Sequence, residues 1–159
     1  HWLWVLRAIE SPARNDRVAL AALTPLIGWD PERLAGAGDA ELTELAAGLA
    51  DLARTFDDGG FAAMAQRILA DHGVAGRVLA GADGERMLTD LLQVSTVCNR
   101  HVVEEDCGLS SLVEWLADRI ADESLWRRSE EQTRRLDRDT QVVQIMTVHA
   151  AKGLSLIHI

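Results

Sequence analysis

Apolar and polar positions recur along most of this chain with a helical period. Leu3, Leu6 and Ile9, with Val5 beside them, predict a helix that ends near Ser11-Pro12, because proline removes a backbone donor and crowds the preceding turn. Val18, Leu20 and Leu23 predict a second short helix, stopped by Pro25 and Gly28. Asp30-Pro31-Glu32 reads as an N-cap followed by proline at the first helical position. Ala35-Gly36-Ala37-Gly38 reads as a flexible loop, and Asp39 as the cap of the next helix. There Leu42, Leu45, Leu49, Leu52 and Phe56 recur at steps of three and four and form one apolar stripe. Asp57-Asp58-Gly59-Gly60 predicts a turn, and Phe61, Met64, Ile68 and Leu69 a further helix that Gly73 can close with a left-handed C-cap. His72 falls in the last turn of that helix, where a cation suits the dipole.

Gly81-Ala82-Asp83-Gly84 interrupts the pattern again. A long helix then runs from about Glu85 to about Val103, with Leu88, Leu91/Leu92, Ser95, Cys98 and Val102 on one face. Cys107-Gly108 breaks it. Ser111-Leu112-Val113-Glu114 fits a capping box, and Leu112, Val113, Leu116, Ile120 and Ala121 define a last helix. After Trp126 the chain becomes densely charged, with three arginine-bearing clusters before Asp139. At Gln141 the period changes. Val142, Val143, Ile145, Met146 and Val148 form a short, β-branched apolar run, which predicts a strand buried on both faces as in a parallel sheet. Thr147, His149 and Lys152 follow at its carboxyl end with Gly153 behind them, where ligands gather in open α/β sheets. The expected fold is therefore mainly α: seven or eight helices in an irregular bundle, ending in one β-strand of a truncated α/β domain.

Composition narrows the picture. The chain has 159 residues, 48% of them apolar, and a net charge of −9. That balance argues against a generic basic nucleic-acid binder, although a few local groups and backbone amides can still touch DNA. No apolar run approaches the roughly 20 residues that span a bilayer, and no signal-peptide pattern opens the chain, so a cytoplasmic location is expected. Cys98 and Cys107 lack metal-ligand spacing and read as free thiols in a reducing compartment. The sequence holds no G-x-x-x-x-G-K-[ST] loop and no paired histidines with metal spacing, so no catalytic or metal-ligating residue is assigned. The chain starts without Met inside an amphipathic pattern and stops just past the strand, as a fragment of a longer protein would.

Two phrases carry a resemblance. Val143 through Leu154, V-Q-I-M-T-V-H-A-A-K-G-L, resembles motif V of the superfamily 1 DNA helicases of the UvrD/Rep type. Gly84-Glu85-Arg86-Met87-Leu88-Thr89-Asp90, followed by Leu91-Leu92, resembles the G-E-R-x-L-T-D/N-L-L phrase of RecB-type helicase–nuclease subunits. Thr24-Pro25-Leu26-Ile27-Gly28 is similar to the run that opens the accessory 2B subdomain of these helicases. The chain departs from motif V at Ser155, where the family has Glu, and Leu156–Ile159 reads as an atypical tail.

The resemblance implies a 2B-like helical subdomain over 1–125, a charged connector over 126–140, and the first strand and motif V of a second motor domain over 141–154. It implies a parent that is an ATP-dependent 3′–5′ DNA helicase using ATP and Mg²⁺. Its partners would be single-stranded or duplex DNA and the other subunits of a helicase–nuclease complex, with no membrane. Thr147 and His149 would lie on the DNA side; Lys152, Gly153 and Leu154 would lie toward the nucleotide. Ser155 puts the family's nucleotide-sugar contact in doubt. In the G-E-R phrase, Gly84, Glu85, Arg86, Leu88, Thr89 and Asp90 read as structural, Glu85 favouring a helix start and Arg86 making an ion pair. By itself the fragment should bind no nucleotide and have no activity. A non-catalytic helical interaction module and an inactive helicase homologue are the alternatives.

Overall fold

The computed structural model describes residues 1–71 and 73–122; His72 and the charged connector, strand and motif V of the sequence reading lie outside the described residues. His1–Ala121 form one unit. Among the described residues every regular element is a helix. They are α1 (Trp2–Glu10), α2 (Asn15–Ala22), α3 (Pro31–Gly36), α4 (Asp39–Asp71), α5 (Val74–Leu79), α6 (Gly84–Glu105) and α7 (Leu109–Ala121). The mainly helical expectation holds for them.

The short helix α1 is the hub, packing against α2, α4, α6 and α7. Trp2, Val5, Leu6, Ala8 and Ile9 are all buried, so it is apolar round most of its circumference, as a central helix must be. Trp2 extends from its first turn into the core. Its indole Nε1–H donates to the Leu91 carbonyl of α6 at 2.8 Å, and its ring lies 5.6 Å from that of Phe61 on α4, tilted by 49°. At the other end of α1, the Arg17 guanidinium of α2 donates to the Arg7 carbonyl, the Glu10 carboxylate and the Ser11 hydroxyl. One half-buried cation thus gathers three acceptors at a helix C-terminus, where positive charge is favoured.

Helix α4 absorbs the predicted Asp57–Gly60 turn into a single residue. Gly60 has φ 75 and ψ −177 inside an otherwise helical run, a conformation open essentially only to glycine. The two expected helices are thus halves of one kinked element. The predicted stripe is buried at Leu49, Leu52 and Phe56 and only half-buried at Leu42 and Leu45.

Several local expectations need correction. In α2 the buried residues are Val18, Ala21 and Ala22, while Leu20 and Leu23 are 43% and 40% exposed. The small alanines let α2 approach α1 closely, and the leucines turn outward. Asp39 lies in the first turn of α4 rather than before it, because the Leu42 N–H already donates to the Gly38 carbonyl. The predicted loop over 35–38 is shorter, since α3 runs to Gly36. Helix α7 starts at Leu109, with the Leu112 N–H on the Gly108 carbonyl. Ser111 is therefore inside the helix and is no capping box. Leu92 and Ile120 point to solvent. The Asp30 cap is as expected, its carboxylate accepting from the Arg33 N–H at 2.7 Å. So is Gly73, left-handed at φ 56.

Candidate functional site

The Thr24–Gly28 run forms a tight turn. Thr24 is buried and donates its hydroxyl to the Ala21 carbonyl at 2.7 Å, while the Gly28 N–H donates back to the Thr24 carbonyl at 2.7 Å. Leu26 and Ile27 are driven into the core. The turn is fastened from a distant part of the chain. Arg77 of α5 donates to the Pro25 carbonyl at 2.7 Å and reaches the Leu26 carbonyl at 3.5 Å. Its guanidinium lies in the space a side chain at position 28 would need, and Gly28 sits at φ +84. Glycine there both turns the chain and admits the arginine. Trp29 continues from the turn, with the Arg33 guanidinium 4.3 Å over its ring, a cation–π contact.

The G-E-R phrase opens α6 beside this turn. Gly84 is buried because α5 crosses directly over it. Glu85, Arg86, Thr89 and Asp90 are exposed, and Leu88 is half-buried. The Thr89 hydroxyl donates to the Glu85 carbonyl within the helix at 2.8 Å. Among the described residues Arg86, on the outer face of α6, has no ion-pair partner. Within the phrase the packing role falls to Gly84, Leu88 and the adjoining Leu91.

The Thr24–Gly28 turn and the G-E-R phrase meet. A cleft of about 370 Å³ is lined by Leu23, Pro25 and Trp29 from the turn region, Val78 from α5, and Gly84 and Met87 from α6. A second cavity of about 500 Å³ shares Gly28, Trp29 and Arg77 with it and continues between Arg33, Arg67, Glu41 and Asp71. Arg77 stands at the junction of both, yet sequence reasoning missed it. The only local signal was Val74 and Val78, spaced four apart.

No protein-family profile matches the chain. Individual relatives do. The chain is 35% identical over 153 residues to the RecBCD enzyme subunit RecB of Mycolicibacterium smegmatis, covering 96% of this chain and 14% of that protein. It is 37% identical over 153 residues to that of Mycobacterium tuberculosis, with the same coverage. It is 29% identical over 160 residues to that of Escherichia coli, covering 96% of this chain and 13% of that protein. Over nearly all of its length the chain is similar to a stretch of RecB. It spans about one-seventh of the length of these relatives.

In this RecB-like segment Thr147, His149, Lys152, Gly153 and Leu154 lie outside the described residues. Among the described residues no group of three or more His, Cys, Asp or Glu can hold a metal ion, and no helix is long and apolar enough to cross a membrane. The cysteines are free. Burial pushes the Cys98 thiol up to about 12, so it is an inert core group at neutral pH.

His101 is the described histidine that packs on another ring, stacking on Trp115 at 4.0 Å and 7°, with Arg119 4.8 Å over the same indole. Burial, assisted by Arg119, holds the imidazole below its ordinary value, against the opposing pull of Glu105 and Glu104. The unfolded chain therefore takes up this proton first. The neutral ring costs nothing above the ordinary imidazole range near about 6.5; stability is lost as pH falls through that range and on to the lowered folded value. We expect the urea midpoint to drop between about pH 7.5 and 5.5, and a His101→Phe variant, which keeps the stack, to show a smaller drop. Equal drops in both proteins would dismiss this histidine as the cause.

Proposed function

We propose that this chain is the helical accessory segment, running into motif V, of an ATP-dependent 3′–5′ DNA helicase of the UvrD/Rep type. It would work as the RecB-like subunit of a cytoplasmic helicase–nuclease in double-strand-break repair and recombination. The observation that carries this reading is the similarity to RecB, which runs through 96% of the chain. In the proposed division, residues 1–125 are the 2B-like subdomain, 126–140 the connector, and 141–154 the first strand and motif V of the second motor domain.

Chemically, Thr147 and His149 are suited to hold a DNA strand. A hydroxyl donates to a phosphate oxygen, and an imidazole donates from one edge and stacks with its face. Lys152 and Gly153 follow where the chain turns into a helix N-terminus, whose free N–H groups attract phosphate. ATP and Mg²⁺ would be held by residues elsewhere in the parent, because phosphoryl transfer needs a phosphate cradle, a metal-binding acid and an arginine finger together. The pure 159-residue chain is therefore expected to show no DNA-stimulated ATP hydrolysis, and turnover above a buffer control would refute this.

The family reading is tested by grafting residues 1–154 in place of the matching segment of Mycolicibacterium smegmatis RecB. The chimera is expected to unwind duplex DNA. Thr147→Ala or His149→Ala within it should cut DNA-stimulated hydrolysis about tenfold, leaving the DNA-free rate alone. A folded chimera that cannot unwind, or variants without effect, would favour the other reading, a non-catalytic helical interaction module. The observation behind that alternative is the acidic balance of the helical part.

A further inference from the structure

The cleft between the Thr24–Gly28 turn and the head of α6 is apolar, open and unfilled. Leu23 stands at its mouth, 40% exposed. Pro25, Trp29 and Met87 are half-buried around it, and Val78 forms its floor. Gly28, Gly81 and Gly84 also line it, so no side chain of their own closes the space. A concavity of about 370 Å³ is large enough for one or two bulky apolar side chains. Helix α5 presents Leu79, 49% exposed, directly after Val78.

The charged groups of the lining are Asp30, Asp83 and Arg77. Arg77 is engaged with the Pro25 and Leu26 carbonyls. Asp30 spends one oxygen on the Arg33 N–H, and the Asp83 side chain caps nothing although it stands at the N-cap of α6. Both carboxylates therefore keep acceptor capacity at the rim. The wider surface has the same sign: residues 1–122 contain twenty of the 25 Asp and Glu but ten of the 16 Lys and Arg. Such a surface repels a phosphate backbone and attracts a basic polypeptide.

We propose that this cleft is a docking seat for a segment of a partner protein. The segment would insert an aliphatic or aromatic side chain between Leu23, Pro25 and Met87 and set flanking lysines or arginines against Asp30 and Asp83. An apolar anchor in a pocket with a charged rim is the usual composition of a small binding hot spot. The seat joins the Thr24–Gly28 turn to the head of the G-E-R phrase, and it does not depend on the helicase reading.

The test uses the full 159-residue chain and a synthetic amphipathic peptide with leucines at helical spacing flanked by lysines. A peptide with glutamates for the lysines and an oligo-dT of similar length serve as comparisons. The lysine peptide is expected to bind with shifts concentrated at the Leu23, Val78 and Met87 methyls in NMR spectra. Leu23→Ser, which leaves the charge unchanged on an exposed position, should weaken binding at least about tenfold. Asp83→Asn should weaken it about threefold and flatten its salt dependence. Thermal melts of both variants check that the fold survives. The proposal is overturned if the peptide fails to bind at about 1 mM, if Leu23→Ser binds it equally, if the glutamate peptide does as well, or if oligo-dT displaces it.

Discussion

Replacing Trp2 by alanine is expected to remove about 3–5 kcal/mol of stability, the largest effect of any single substitution in the helical unit. Trp2 is 2% exposed, and it joins three helices at once. Its ring packs on Phe61 of α4, its Nε1–H donates to the Leu91 carbonyl of α6, and its backbone begins the hub helix α1. Truncation removes the transfer free energy of an indole and leaves a cavity that these helices can only partly close. Domains of this size have about 5–15 kcal/mol in total, so from about a fifth to all of it would go. Trp2→Phe separates the contributions. It retains most of the apolar area and loses the buried hydrogen bond, and should cost only about 1–2 kcal/mol. Urea unfolding followed by circular dichroism measures both. A Trp2→Ala midpoint close to wild type would mean that α1 is not the centre of this core.

The second large effect has a sign that sequence propensity would get wrong. Alanine is worth about 1 kcal/mol more than glycine in a helix interior. At Gly84, however, an added Cβ would lie 2.7 Å from the Leu79 Cα and against the Val78 carbonyl oxygen. Both are backbone atoms and cannot rotate away, so α5 must lift off α6. Gly84→Ala is expected to destabilise by about 2–3 kcal/mol and to loosen Arg77, which rides on α5 and fastens the Thr24–Gly28 turn. Gly48 in α4 is the control, since a Cβ there meets nothing within 4 Å. Gly48→Ala should stabilise by up to about 1 kcal/mol. Opposite shifts of the two melting curves are the expected result; a stabilising Gly84→Ala would show that the helices have room to spare.

These two positions also mark what the residue pattern disclosed and what it hid. Helices α1, α4, α6 and α7 repeat their apolar residues at steps of three and four, and burial follows that stripe at Leu6, Leu52, Leu91 and Leu116. The pattern failed where size mattered more than hydrophobicity. Ala21 and Ala22 face the core because only small residues allow α2 against α1, and the larger Leu20 and Leu23 are left outside. Helix α5 was missed because six residues containing a glycine offer only Val74 and Val78 as a signal. The arginine it carries was hidden for a different reason. Arg77 meets Pro25 across 52 residues of chain, and no local spacing encodes a contact at that range. The helix that the G-E-R phrase opens was legible, but its proximity to the turn was not.

The contact between Trp2 and the Leu91 carbonyl spans 89 positions, and that span has a consequence for the order of events on the ribosome. Translation adds about 5–20 residues per second, so the acceptor of this bond is made roughly 5–18 seconds after its donor. Over that interval Trp2, Val5, Leu6 and Ile9 gain α2 and then α4 as cover; the rest of their seat, in α6 and α7, is completed only afterwards. Helix α1 is thus made before every element that encloses it, and its enclosure is completed only with α6 and α7. A nascent chain paused ahead of α6 would present this apolar helix as a ready target for chaperones or for another paused chain.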